Sequence, residues 1–155
     1  MRMSSEGIEV EVPQGWDGEI FRRRDPEVRA RGRRAEERPV LHMGNFPLPA
    51  DRGDFGSGAA DIMRAENLLV VLFEYEPEAA STALFSESGL PEVGPDDFSP
   101  SRMQHPIGGQ SGAQYFFSQG GRAFCLYIVM GSHARRQQVI PELRQVLRTI
   151  RLETR

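Results

Sequence analysis

The single cysteine of this 155-residue chain, Cys125, and one of its three histidines, His133, lie eight positions apart and could form a nucleophile and its base. A cysteine nucleophile needs cationic surroundings that lower the pKa of its thiol. Cys125 instead lies between bulky apolar residues in the run RAFCLYIVM. Eight residues of an extended strand also span about 25 Å. The sequence therefore predicts that Cys125 is a buried strand residue, and it indicates no catalytic residues.

A second set of polar residues surrounds the glycine-rich segment 51–58, DRGDFGSG. Free backbone amides at a turn before a helix can hold an anion. The segment lacks the ending of a phosphate-binding loop and a full dinucleotide fingerprint, and glycines there are typical of simple turns. One interpretation is a small-molecule or anion-binding enzyme with a site near 51–58. Its candidate binding residues are His42, Arg52 and Asp54, which Tyr115 could join.

The histidines share no spacing typical of metal ligands. A metal site would have to bring together distant residues, with carboxylates such as Asp51, Asp54 or Asp61. We therefore expect neither a metal nor a cofactor.

The third candidate region is an arginine-rich segment with neither helical nor strand periodicity, which predicts a flexible loop at 24–38. Residues 22–38 contain eight arginines and four acidic residues, an excess of four positive charges. Arg31, Arg33 and Arg34 are the candidate contacts to an acidic partner. Acidic residues alternate with the arginines and no aromatic residue is present, which disfavours nucleic acid.

Composition indicates one globular domain over residues 1–155, because 39% of the residues are apolar and 26% are charged. No apolar run is long enough to span a bilayer, and the first residues contain no apolar signal region. A single cysteine points to the cytoplasm. The net charge of −3 gives no general attraction to nucleic acid or membrane.

The elements that would position these residues are mostly strands. Alternation predicts a strand at 8–12, and GEIFRRR is interpreted as its hairpin partner. Further strands are predicted in PVLHMGNF and in the apolar segment 67–75, and QGG predicts a hairpin between 113–118 and 122–130. A short helix is predicted over 57–64, capped by Ser57, and an amphipathic helix from about Pro141.

Four stretches together resemble a group of small, uncharacterised actinobacterial proteins over most of the chain: IEVEVPQGW, NFPLPADRGDFGSGA, GRAFCLYIVMGSHARR and LRQVLRTIRLE. More distantly, the strand before PQGW and the helix before IRLE are similar to PsbP/Mog1-like domains. The resemblance implies an antiparallel sheet packed against helices and used mainly for binding or assembly. It implies no catalytic residues in this chain.

We therefore expect an α+β fold: a mainly antiparallel sheet of five to seven strands, a C-terminal amphipathic helix on one face, and a short second helix. Two strands are apolar on both faces, so the second face needs cover from the short helix, the loops or a partner subunit. The expected function is a non-enzymatic protein-interaction or assembly module. Its partner would be another protein or a second copy of the chain.

Overall fold

The computed structural model describes residues 1–23 and 38–154, and over these residues the chain forms two antiparallel sheets and two α-helices. The small sheet has the order β1-β2-β8 and contains β1 (Arg2–Ser5), β2 (Ile8–Glu11) and β8 (Arg151–Leu152). The large sheet has the order β3-β4-β5-β7-β6 and contains β3 (Asp17–Arg22), β4 (Pro39–Gly44), β5 (Leu68–Tyr75), β6 (Ser111–Gln119) and β7 (Arg122–Met130). The predicted α+β class and its mainly antiparallel sheet are confirmed.

The centre of the large sheet is the part that the sequence predicted best. β5 is the middle strand and is buried on both faces over almost its whole length. β6 and β7 form the predicted hairpin, and Gly120 and Gly121 adopt φ values of 58° and 78° in its turn. Such positive φ values are accessible to glycine at little steric cost.

The predicted hairpin between β2 and β3 is wrong. β3 is a strand, but it pairs with β4 at the edge of the large sheet. Both edges of β2 are occupied, one by β1 through a turn at Glu6 and Gly7 and the other by β8. The sequence did not predict β1, because RMSS shows no apolar alternation.

The C-terminal helix, α2 (Arg136–Leu147), begins five residues before the predicted start and contains Pro141 in its interior. Proline inside a helix costs about 3 kcal/mol. The helix nevertheless buries four side chains, at about 1.5–3 kcal/mol each for full burial: Ile140, Leu143, Val146 and Leu147. The packing therefore outweighs the proline, and the amphipathic assignment is confirmed. No helix in the described ranges is long and apolar enough to cross a membrane.

The short helix α1 (Ser57–Ala60) ends four residues before the predicted end. Ser57 is its first helical residue and not its cap, a position taken by Gly56 with φ 75° and no side-chain hydrogen bond. Only Ala59 and Ala60 bury apolar surface, and Ile62 is exposed, so an extended helix would gain little from packing.

Each face of the large sheet is covered by a different layer. The first core lies between the sheet, α2 and the small sheet, and includes Leu72, Leu126 and Leu143. The second core covers the opposite face with α1 and loop residues such as Phe46 and Met103. Within the described chain, the short helix and the loops therefore supply the cover that the two apolar strands required.

Candidate functional site

His42 lies on β4, where strand alternation directs it to the same face as Val40 in the second core. It is fully buried and lies opposite Glu19 of β3. Nε of Arg52 donates to Nδ1 of His42 over 2.7 Å, and Nε2 lies 2.6 Å from the Asp54 carbonyl oxygen. Because Nδ1 accepts a hydrogen bond, Nε2 carries the proton and donates to that carbonyl.

Arg52 connects His42 to two further groups. Its Nη1 donates to the Pro49 carbonyl over 2.9 Å, and its Nη2 donates to Oε1 of Glu19 over 2.8 Å. We call His42, Arg52, Glu19 and the carbonyls of Pro49 and Asp54 the His42 cluster. The structure thus brings together three predicted candidates, although Asp54 enters through its backbone.

The cluster holds His42 in its neutral form. Burial, helped by the positive charge of Arg52 and opposed by the hydrogen bond to Asp54, lowers the pKa of His42 from 6.5 to about 4. Both ring nitrogens are engaged, so proton transfer or metal binding at His42 would require breaking one of these bonds. Over residues 1–23 and 38–154, no group of three or more His, Cys, Asp or Glu side chains is arranged to hold a metal ion.

The glycine-rich segment uses its amides within its own turn. Gly56 N–H donates to the Gly53 carbonyl over 3.2 Å, and Gly58 N–H donates to the Arg52 carbonyl over 3.1 Å. A Cβ at position 58 would lie 2.5 Å from the Asp51 oxygen, so only glycine fits this approach. These two amides are engaged in the loop, which therefore shows the turn chemistry that the sequence favoured over an anion cradle.

Tyr115 does not join the His42 cluster, because it lies on the opposite face of the sheet. It is paired with Leu126 and packs against the first core. Its hydroxyl donates to Oδ2 of Asp97 over 2.6 Å. Burial, and then this hydrogen bond, raise the pKa of Tyr115 well above 10.

Cys125 has the predicted position in the middle of β7 and is buried in the second core. Burial raises the pKa of its thiol from 9.0 to about 12, so the thiol is protonated at neutral pH. Arg31, Arg33 and Arg34 lie outside the described residues, with the rest of the predicted loop up to residue 37.

A buried ion pair in the large sheet, which no sequence pattern predicted, also links this sheet to the small one. Arg122 of β7 donates to both carboxylate oxygens of Glu74 over 2.8 and 3.1 Å. The same guanidinium donates to three carbonyls of the small sheet and its connections, those of Glu6, Gly7 and Glu153. The available signal was one glutamate and one arginine, each at the end of an otherwise apolar strand segment.

A groove of about 340 Å³ lies between the loop at 90–93 and the C-terminal end of α2. Its apolar floor consists of Leu90, Pro91, Val93, Leu147 and Ile150. Its charged rim consists of Arg144, Arg148, Arg151 and Glu92. We call this surface the arginine groove. Three arginines and one glutamate give its lining a net charge of +2, although the whole chain carries −3.

The three arginines of the groove differ in how they are held. Arg144 Nε donates to the Val93 carbonyl over 2.7 Å, which attaches the loop to the helix. Arg151 Nη1 donates to the Arg148 and Ile150 carbonyls over 2.8 and 3.3 Å. The Arg148 side chain is exposed and forms no hydrogen bond or ion pair with any residue that the structure describes.

A second groove, of about 440 Å³, lies on the other side of α2 and carries the opposite charge. Its carboxylates are Glu11 and Glu142. Glu142 accepts a hydrogen bond from the Trp16 indole over 3.3 Å, and Glu11 lies 3.7 Å from the Arg2 guanidinium. Its charged groups therefore have partners within the chain, unlike Arg148.

The sequence contained part of the signal for the arginine groove. Arg144, Arg148 and Arg151 follow a spacing of four and three residues, which would place successive side chains on one side of a helix, although α2 ends at Leu147 and Arg151 lies on β8. Such a row is typical of any solvated helix face. The loop at 90–93, whose approach to α2 creates the groove, has no sequence pattern that predicts its position.

Comparison with family models found none that matches the chain, and comparisons with curated proteins and with solved structures found no match.

Proposed function

We propose that this protein is a non-enzymatic interaction module in the cytoplasm, and that it binds another protein through the arginine groove. The observation that carries the proposal is Arg148, an exposed cation without a partner in the described chain, beside an apolar floor. Leu90 and Pro91 leave part of their apolar surface accessible beside this charged rim, and an apolar centre with a polar rim is typical of a docking site. The resemblance to PsbP/Mog1-like domains supports the same class of function.

The alternative, an enzyme with a site near residues 51–58, draws little support from the His42 cluster. A general base needs a nitrogen that can take a proton near neutral pH. Nδ1 of His42 already accepts from Arg52, and the low pKa of the ring keeps it neutral. In the arginine groove, by contrast, a ligand need not displace an internal partner to reach Arg148.

Site-specific crosslinking tests the proposal. A chain carrying Glu92→benzoylphenylalanine places the crosslinker at an exposed position of the rim and keeps Arg148, and on irradiation in its own cells it should form a defined crosslinked protein species. The control is Arg135→benzoylphenylalanine, at an exposed position at the opposite end of α2, which should form much less. The crosslinked protein would be identified by mass spectrometry and its binding reproduced with purified components. Equal crosslinking from both positions, or none from position 92, would contradict docking in the groove.

The arginine-rich loop is the second candidate surface for the same function. Changing Arg31, Arg33 and Arg34 together to serine should leave thermal stability nearly unchanged, because a solvated loop contributes little to a core. If this loop adds electrostatic contacts, the triple variant should bind the purified partner more weakly, and the difference should disappear at high salt. Unchanged binding at low salt would remove the loop from the interface.

A further inference from the structure

We infer that the segment docking in the arginine groove is an acidic peptide that carries at least one aliphatic side chain. This inference rests on the proposed function and specifies its partner. The rim presents three guanidiniums between residues 144 and 151, from the last turn of α2 to the start of β8. A guanidinium binds a carboxylate with two parallel hydrogen bonds, and a row of them matches a segment with several carboxylates better than a ligand with one.

The apolar floor of the groove indicates that the partner also carries an aliphatic side chain. Val93, Leu147 and Ile150 are buried in the first core, and Leu90 packs against it with part of its surface exposed. At about 340 Å³, the groove is near the lower end of the ~300–1,000 Å³ typical of ligand sites. An aliphatic side chain of the partner could fill this space while neighbouring carboxylates reach the rim.

The same lining disfavours nucleic acid as the occupant. Proteins that bind single strands stack bases on aromatic rings, and the described residues that line the groove are aliphatic or charged. The net charge of −3 also opposes the long-range approach of a polyanion. A short acidic segment is affected mainly by nearby charges, because charges more than about 8 Å apart are largely screened at physiological salt.

The groove is held in shape before any partner arrives. The bond from Arg144 Nε to the Val93 carbonyl keeps the loop against α2, and Arg151 is held by the carbonyls at the end of the helix. Fewer groups must therefore be ordered on binding, which reduces the entropic cost. Arg148 is the residue whose charge can be changed without losing an internal bond of its side chain.

Fluorescence anisotropy with a labelled peptide of alternating glutamate and leucine tests the inference. The wild-type protein should bind this probe, and binding should weaken as salt is raised. Probes with lysine in place of glutamate, or serine in place of leucine, should bind much more weakly. Arg148→Glu should weaken binding of the acidic probe at least about tenfold, equivalent to about 1.4 kcal/mol. The matched control, Arg135→Glu, makes the same charge change at the far end of α2 and should stay within about twofold of wild type.

The outcomes separate this inference from the proposed function. Equal binding of the lysine probe, tighter binding of a single-stranded oligonucleotide of the same charge, or an unchanged affinity in Arg148→Glu would overturn the acidic-peptide inference. If the acidic probe fails but position 92 still crosslinks to a partner, the chemistry assigned to that partner is wrong and the proposed function stands. If both experiments fail, the arginine groove is not a docking site.

Discussion

The His42 cluster and the arginine groove contain similar residue types but differ in burial and in hydrogen bonding. In the cluster, Arg52 is almost completely buried, and its guanidinium donates to a ring nitrogen, a carbonyl and a carboxylate. In the groove, Arg148 is exposed and has no side-chain partner among the described residues. A buried polar group must find its partners within the fold, because it has lost those in water.

Residues that could do chemistry can lie close together for structural reasons alone, so their proximity is weak evidence for a reaction. His42 and Arg52 come together as the enzyme hypothesis required, yet their bonds join β3, β4 and the loop before α1. Among the described residues that line the groove, Glu92 is the only potential nucleophile or base, yet the charge of the groove is open to a ligand. We assign the closed cluster to stability, and the open groove is the surface proposed for binding.

The largest loss of stability is expected at the ion pair between Arg122 and Glu74, because both side chains are buried and hydrogen-bonded to each other. Arg122→Met removes the guanidinium from a fully buried carboxylate and from three carbonyls. Breaking a buried pair in this way should lower the free energy of unfolding by about 3–5 kcal/mol. Urea denaturation followed by circular dichroism measures the loss.

The control for this prediction is the double variant Arg122→Met with Glu74→Leu. An apolar replacement of both partners removes the uncompensated charge, so the double variant should be more stable than the single variant. A single variant within about 1 kcal/mol of wild type would show that the pair is not a main link between the sheets.

A somewhat smaller effect is expected from acidification, through His42. Its pKa is about 4 in the folded protein, against 6.5 for a histidine side chain in water, so the unfolded chain takes up the proton first as pH falls. This contribution is fully present above about pH 6.5 and is lost between about pH 6.5 and 4. It amounts to about 3 kcal/mol, because each pKa unit corresponds to about 1.36 kcal/mol.

Unfolding free energies measured from about pH 7 to about pH 4.5 would check this dependence. The control is His42→Gln, which removes the titrating ring and leaves His105 and His133 in place. The difference between wild type and His42→Gln should shrink as pH falls. Parallel curves for the two proteins would mean that other groups account for the acid sensitivity.

The elements near the sheet centre could be predicted from sequence because their signals are local. Apolar runs and paired glycines were sufficient for β5, β6 and β7. The pairing of β3 was not predictable, because the competing edge of β2 is taken by β8, more than 130 residues away in sequence. α2 begins before Pro141 because the burial of Ile140 stabilises the earlier turn. From the sequence, Pro141 indicated the start of the helix instead.

The two sites differ in predictability for a similar reason. His42 and Arg52 are ten residues apart and flank one loop, so their proximity could be anticipated from the chain. Which atoms bond, and that Asp54 contributes a carbonyl, depends on the packing of the loop against β3 and β4. The arginine groove needs a contact between residues 93 and 144, and nothing in either segment alone indicates the other.

The most direct test of this assignment compares the unfolding free energies of Arg52→Met and Arg148→Met, a matched pair of substitutions. Arg52→Met leaves the buried Nδ1 of His42 and the Pro49 carbonyl without their donor, and should cost about 1–3 kcal/mol. Arg148→Met removes an exposed charge with no internal partner among the described residues, and should stay within about 0.5 kcal/mol of wild type. Equal losses in the two variants, or a larger loss from Arg148→Met, would contradict the assignment of the cluster to stability and the groove to binding.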